Sequence, residues 1–361
     1  MKRLILSPCG TSLLTNRVSP EVRALVFKHA NAPGPITGEE GETLTRHLEK
    51  RREEVLGLPP QGAALLSAEI NGLYHLYAGD FANGKQDTHI LLATDTWLGR
   101  ETAQMVSAWL KTQGIANVQV WDDIGGLRTD SLENFHLAVA ELVRRLHETL
   151  PGYKEIGYQI IFNLTGGFKS IQGVLQTLAQ FYADEAVYIF ETSKELLRIP
   201  RLPLTLDILP SIKKQLKIWR RLALGLSVTP EECRKIPNAF WFAVGDEVSL
   251  SPWGELIWQQ VKRQIYEECL WEPPSDRITW TDEFEKAVNA LPPDRRYEVN
   301  KRMDELALHL EREDHPNPRS LNCHRLSGEP VAGCTHEIYA WSDRDARRIY
   351  GVCHGHERFE R

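Results

Sequence analysis

The stretch "YQIIFNLTGGFKS", Tyr158–Ser170, decides how this chain folds. Its first half is an unbroken apolar run of strand length, rich in β-branched and aromatic residues. Its second half is a glycine pair followed by lysine and serine, where a helical pattern begins. A strand that is apolar on both faces is buried on both, as in a parallel sheet covered by helices. The glycines leave backbone N–H groups bare at the start of a helix, whose dipole adds positive potential. Taken singly, the loop reads as a tight turn with a solvated lysine. It lacks the GxxxxGK[ST] spacing of a phosphate loop, and the chain has no GxGxxG for a nicotinamide cofactor.

Working outward, similar runs occur at "RLILSPC" (Arg3–Cys9), "HILLATDT" (His89–Thr96), "VQVWDDI" (Val118–Ile124) and "AVYIF" (Ala186–Phe190). Helical patterns at Arg100–Thr112, Leu132–Leu150 and Ser170–Tyr182 separate them. Alternating strands and helices predict a doubly wound α/β domain with a parallel sheet, ending in a hairpin at "LLRIPRLPLTL". In such sheets ligands bind at the carboxyl ends of the strands. Three polar, glycine-containing loops follow strands: Ser7–Asn16, Thr94–Arg100 and Asn163–Ser170. They are expected on one edge, offering Thr11, Ser12, Asn16, Thr94, Asp95, Thr96, Asn163, Thr165 and Lys169. Such a lining, rich in neutral donors and poor in cations, suits a ligand with several phosphates and bases.

The chain has 361 residues, enough for two or three domains. With 42% hydrophobic and 25% charged residues it reads as globular, and a formal net charge of -6 gives no overall basic field for nucleic acid. No apolar run is long enough to span a bilayer, so no membrane partner is expected. The start, "MKRLILSPCG", is too short in its apolar part for a signal peptide. Six scattered cysteines without a CxxC argue against a disulfide framework and for the cytoplasm.

A second unit runs from about Asp207. "LDILPSIKKQLKIWRRLALG" reads as an amphipathic helix with a basic stripe, Lys213, Lys214, Lys217, Arg220 and Arg221. "LSPWGELIW" reads as a Ser-capped, Pro-initiated helix start. Together they resemble a winged helix-turn-helix. A charge run of this kind is usually a solvated helix face. The proline-rich "WEPPSDR" marks a boundary, and beyond it two helices split at "LPPDRR" precede a polar, strand-like tail.

"GTSLLTN" near the start, with "FNLTGGFKS" after the fourth strand, resembles the CARF domains of CRISPR-associated proteins over roughly residues 1–206. The resemblance implies a homodimer whose facing pockets share one cyclic oligoadenylate activator, expected to be the tetramer cA4. It carries over Gly10, Thr11, Ser12, Asn16, Asn163, Thr165, Gly166, Gly167 and Lys169 as binding positions. Cleavage of the ring by Thr11 and Lys169 stays open.

The segment 207–275 resembles the winged-helix connectors of CARF effectors. Within 276–361, "HRLSG" (His324–Gly328), "CTHEIYAW" (Cys334–Trp341) and "ARRIY" (Ala346–Tyr350) resemble the pattern of RelE-type mRNA interferases, an α+β fold with two helices before an antiparallel sheet. The resemblance implies metal-independent endoribonuclease activity on mRNA at the ribosome, with docking to its stalk as a further expectation, and no cofactor. The chemistry needs a base for the ribose 2′-OH, cations on the phosphate and an acid for the 5′-oxygen. Arg347 aligns best as the phosphate-stabilising residue, with Arg325 and Arg348 behind it. His336, Glu337, His354 and His356 are the acid–base candidates. A zinc site from Cys334, His336, Cys353 and His354 lacks the usual ligand spacing. RelE-like toxins usually continue with further strands, so the domain is expected to be shortened or to use Arg358 and Arg361 there. Two rivals remain. One is a HEPN-type ribonuclease through "RSLNCH" (Arg319–His324), set here after two prolines rather than in a helix; the other is a CARF and winged-helix transcription regulator.

Overall fold

The computed structural model describes residues 2–189, 195–245, 247–280, 282–312, 322–325, 334–341 and 346–353. The chain divides into two compact units, Met1–Thr205 and Leu206–Arg361.

In the first unit six strands form one sheet: β1 (Arg3–Pro8), β2 (Thr88–Leu92), β3 (Asn117–Trp121), β4 (Gln159–Asn163), β5 (Glu185–Ile189) and β6 (Leu196–Pro200). Their order is β3-β2-β1-β4-β5-β6. The first five run parallel. The terminal segment expected as a hairpin by itself is instead one strand, β6, antiparallel to β5. This is the α/β Rossmann-like arrangement that the apolar runs predict: Leu4, Ile5, Leu6, Ile160, Ile161 and Phe162 are all buried. The order reverses between β1 and β4, which opens a crevice at their carboxyl ends.

Five helices fill the β1-to-β2 crossover: α1 (Ser12–Thr15), α2 (Pro20–Lys28), α3 (Gly38–Leu56), α4 (Pro60–Ala64) and α5 (Ala68–Leu76). Sequence reading did not anticipate them, although Leu44, Leu48, Arg51 and Val55 of α3 recur at helical spacing and are all buried. Three more follow, α6 (Trp97–Thr112), α7 (Leu132–Glu155) and α8 (Lys169–Tyr182), close to the expected bounds. Thr96 and Ser131 cap α6 and α7 by accepting from the amides of Gly99 and Asn134. At the opposite edge of the sheet, Tyr77 Oη lies 3.0 Å from Asp87 and 2.9 Å from His89 Nε2, and Arg3 Nε donates to Asp87 at 2.8 Å. Burial, and secondarily the charge of Arg3, pushes the His89 pKa down to about 3.

The second unit begins with α9 (Leu209–Lys214) and α10 (Leu216–Ala223), two helices where one was expected, because Gln215 leaves helical geometry at φ -126° and ψ 29°. Next come α11 (Pro230–Cys233), a hairpin of β7 (Trp241–Val244) and β8 (Glu247–Leu250), and α12 (Pro252–Glu268). Ser251 caps α12 through the Gly254 amide, as its sequence predicts. Then β9 (Ile278–Trp280), α13 (Asp282–Asn289) and α14 (Pro293–Glu311) lead into β10 (Asn322–Arg325), β11 (Cys334–Trp341) and β12 (Ala346–Cys353). The last three strands and β9 form an antiparallel sheet in the order β10-β11-β12-β9.

Four of the five residues of the basic stripe are engaged by neighbouring acids. Lys213 pairs with Glu268 at 2.5 Å, Lys217 with Asp276, and Arg221 forks onto Glu311 with two contacts of 2.8 Å. Arg220 is fully buried. Its Nε donates to Asp304 at 2.8 Å, and its Nη groups donate to the carbonyls of Glu272 and Asn300. Tyr266 donates to the other Asp304 oxygen at 2.5 Å. One network thus ties α10, α12 and α14 on both sides of the expected 275/276 boundary. No helix among the described residues is long and apolar enough to cross a membrane.

Candidate functional site

The loops after β1, β2 and β4 converge, as their place after parallel strands requires, on a cleft of about 340 Å³. That lies toward the small end of the range for ligand pockets, ~300–1,000 Å³. Gly10, Thr11 and Ser12 come from the first loop, Thr94 and Thr96 from the second, and Thr165, Gly166 and Gly167 from the third.

A residue absent from the sequence-derived set organises these loops. Glu69, in the first turn of α5, is fully buried. Its Oε1 accepts from the Gly10 amide at 2.8 Å and the Gly167 amide at 3.3 Å. Its Oε2 accepts from Ser67 Oγ at 2.6 Å and Ser12 Oγ at 3.2 Å. Only acceptor capacity is used, which is the pattern of an ionised carboxylate. Gly166 has to be glycine, since a Cβ there would overlap the Glu69 carboxylate, and Gly167 sits at φ +92° against Pro8. Of the glycine pair whose N–H groups were expected to meet a ligand, the Gly167 amide is held by the protein's own carboxylate. Cys9 directly precedes Gly10; burial, and then the charge of Glu69, push its thiol well above its ordinary pKa, which disfavours the thiolate.

Four of the sequence-derived residues do not line the cleft. Asn163 is fully buried and donates to Ser7 Oγ and the Glu69 carbonyl, at 3.1 and 3.0 Å. Asn16 donates to the Leu66 carbonyl at 3.0 Å. Lys169 is exposed at the start of α8. Asp95 accepts from the Gly126 amide at 2.8 Å, from Arg100 at 2.9 Å and from Arg128 at 3.4 Å, so it holds the loop after β3. Thr94 and Thr96 do line the cleft and share a hydrogen bond of 2.8 Å. Thr165 Oγ1 is buried and has no partner among the described residues.

Arg128, Thr129 and Asn31 also line the cleft, and sequence reading missed all three. Thr129 donates to Asn31 at 3.2 Å, which ties the loop after β3 to the one after α2. Arg128 is the charged residue of the lining. No local signal marks these positions, because each reaches the cleft from a loop distant in sequence.

In the second unit the interferase candidates lie on β10, β11 and β12, while His354 and His356 fall outside the described residues. Register pairs His336 with Gly351, Glu337 with Tyr350, Tyr339 with Arg348 and Ala340 with Arg347. Strand alternation puts Arg325, His336 and Arg347 on one face, shared with Ile278 and Trp280. Glu337, Arg348 and Tyr350 share the other. His336 and Arg347 stand four rungs apart, about 13 Å along the strand at ~3.3 Å per residue. Glu337 and Arg348 occupy adjacent rungs of their face. Arg319 of the alternative "RSLNCH" motif lies outside the described residues, and His324 is in strand β10. No group able to hold a metal occurs among the described residues.

Residues 64–202 match a family model described as CRISPR-associated protein (Cas_APE2256). The matched segment includes Glu69, Arg128 and the glycine pair after β4, and leaves out the loop after β1. The match supports a CRISPR-related function for the chain. No curated protein matches it.

Proposed function

We propose that this chain is a ligand-switched CRISPR effector. A cyclic oligoadenylate, expected as cA4, binds the cleft in a CARF-type homodimer and activates a RelE-like endoribonuclease that cuts mRNA on the ribosome. The observation that carries this reading is the meeting of "GTSLLTN" and "FNLTGGFKS" across the β1/β4 reversal, in a cleft lined by hydroxyls and amides. The family match over residues 64–202, which contains the second of these loops, supports the CRISPR-related part of the reading. In the second unit, two helices followed by antiparallel strands carrying "CTHEIYAW" and "ARRIY" agree with the interferase resemblance, and α9 to α12 with their hairpin serve as the winged connector.

The nuclease step needs no metal. A base on the sheet deprotonates the ribose 2′-OH, the oxygen attacks the adjacent phosphate, an arginine stabilises the charge that develops, and an acid protonates the departing 5′-oxygen. Arg347 is the first choice for that arginine. Glu337 with Arg348, on successive rungs of one face, is the pair we favour for acting on one phosphate. The activator shifts the equilibrium by its higher affinity for the active form. Docking to the ribosomal stalk would supply the substrate.

The test is cleavage of a translated mRNA with and without cA4 and with and without ribosomes. Cleavage is expected only with both. Cleavage of naked RNA at the same rate removes the ribosome from the reading, and no cleavage under any condition removes the nuclease.

A further inference from the structure

Any polyphosphate entering the cleft meets an unusual electrostatic problem. Behind the lining lies a buried carboxylate, Glu69, which accepts from the amides of two lining glycines, Gly10 and Gly167. The hydroxyls of Thr11 and Thr94 lie in the lining, while Ser12 Oγ donates to Glu69 and Thr165 Oγ1 is buried. Lys169, the cation that the loop sequence advertises, stands outside the lining. Arg128 remains.

The guanidinium of Arg128 is shaped for the task. Its Nε donates to Asp130 at 2.8 Å and its Nη1 reaches Asp95 at the longer distance of 3.4 Å. Its Nη2 has no hydrogen-bond partner among the described residues. The backbone beneath it is fixed, because Asp95 also accepts from the Gly126 amide and the Arg128 amide donates to the Gly126 carbonyl at 2.8 Å. The two aspartates engage Nε and Nη1, which leaves Nη2 for a further acceptor, and Arg128 lies in the lining of the cleft.

We infer that Arg128 is the phosphate-reading residue of this cleft, with Asp95 as its positioning residue. The inference rests on the proposed oligoadenylate site and names the charge that recognises the ligand there. A held guanidinium that keeps unused N–H donors and its positive charge suits the oxygen of a phosphate diester. It also offsets the charge of Glu69, which hydroxyls alone do not.

The experiment is calorimetric titration of the full chain with cyclic tri-, tetra- and hexa-adenylate at several salt concentrations, for wild type, Arg128→Gln and Arg128→Lys. For the ring that wild type binds, Arg128→Gln should weaken affinity by roughly 10- to 100-fold, the effect of one hydrogen bond to a charged group. The slope of log affinity against log salt should fall by about 0.7, one phosphate contact on a single strand. Arg128→Lys should keep the slope and lose part of the affinity. It also serves as the reporter should Arg128→Gln fold poorly: a slope lowered in Arg128→Lys overturns the inference. So does binding by Arg128→Gln within about twofold of wild type, or weaker binding with an unchanged slope; in those cases the oligoadenylate reading stands. If wild type binds none of the rings, that reading falls and takes the inference with it.

Discussion

Glu69 in the first unit and Arg220 in the second are both fully buried, and the two are satisfied in opposite ways. Arg220 in the second unit faces a counter-ion, Asp304, and the carbonyls of Glu272 and Asn300, so its charge is neutralised where it sits. Glu69 in the first unit faces two amides and two serine hydroxyls, so its hydrogen bonds are satisfied but its charge is not neutralised. The first arrangement is a clamp between helices and leaves nothing for a ligand. The second shapes two loops and leaves a carboxylate without a counter-ion, among the described residues, behind the lining of a cleft.

The contrast breaks most sharply at Asp304. Asp304→Ala strands a buried guanidinium and removes the acceptor of Tyr266. The expected loss is about 3–5 kcal/mol, read by urea unfolding of the full chain followed by tryptophan fluorescence. A loss under about 1 kcal/mol would mean that water reaches Arg220 and that the clamp is not a buried one.

Glu69→Ala should cost less, roughly 2–3 kcal/mol, because it removes a charge from the interior while leaving four donors unpaired. Its signature is local. Hydrogen exchange at the Gly10 and Gly167 amides should accelerate, while exchange in α12 and α14 stays as in wild type. Unchanged exchange at both glycines would show that the loops keep their shape without the carboxylate.

The smallest effect belongs to a buried group that holds no charge at neutral pH. His89 has a folded pKa of about 3 against an ordinary value near ~6.5. Its neutral form is the folded one, so its contribution is complete above pH ~6.5 and is lost as pH falls toward 3. The linkage amounts to about 2 kcal/mol by pH 5. His89→Gln should flatten that part of the stability–pH curve, measured as thermal midpoints between pH 7 and pH 5. An identical acid slope in the variant would assign the loss to other groups.

The parallel strands and the edge on which their loops gather were legible from the chain, because a strand buried on both faces must be apolar throughout. The convergence of "GTSLLTN", "TDTWLGR" and "NLTGGFKS" followed from that. Side-chain roles within those loops were less legible. Asp95 and Asn163 look like ligand groups on a loop or at a strand end, yet both are braces, since a buried polar side chain takes the nearest unpaired backbone group. The basic stripe was the same kind of lure: Arg220 reads as surface charge until α14 supplies Asp304, 84 residues on.

What the chain determined by itself is local: β-branched runs, capped helix starts such as Ser251, and glycines where a Cβ has no room. What only the tertiary structure decided is which donors remain available. Glu69 enters from a helix 59 residues beyond Gly10 and takes its amide. Arg128 enters from a loop after a third strand and replaces the charge that Lys169 promised. Hydrogen-bond capacity is finite and is allotted in space, so the residues left facing the cleft cannot be read from their order along the chain.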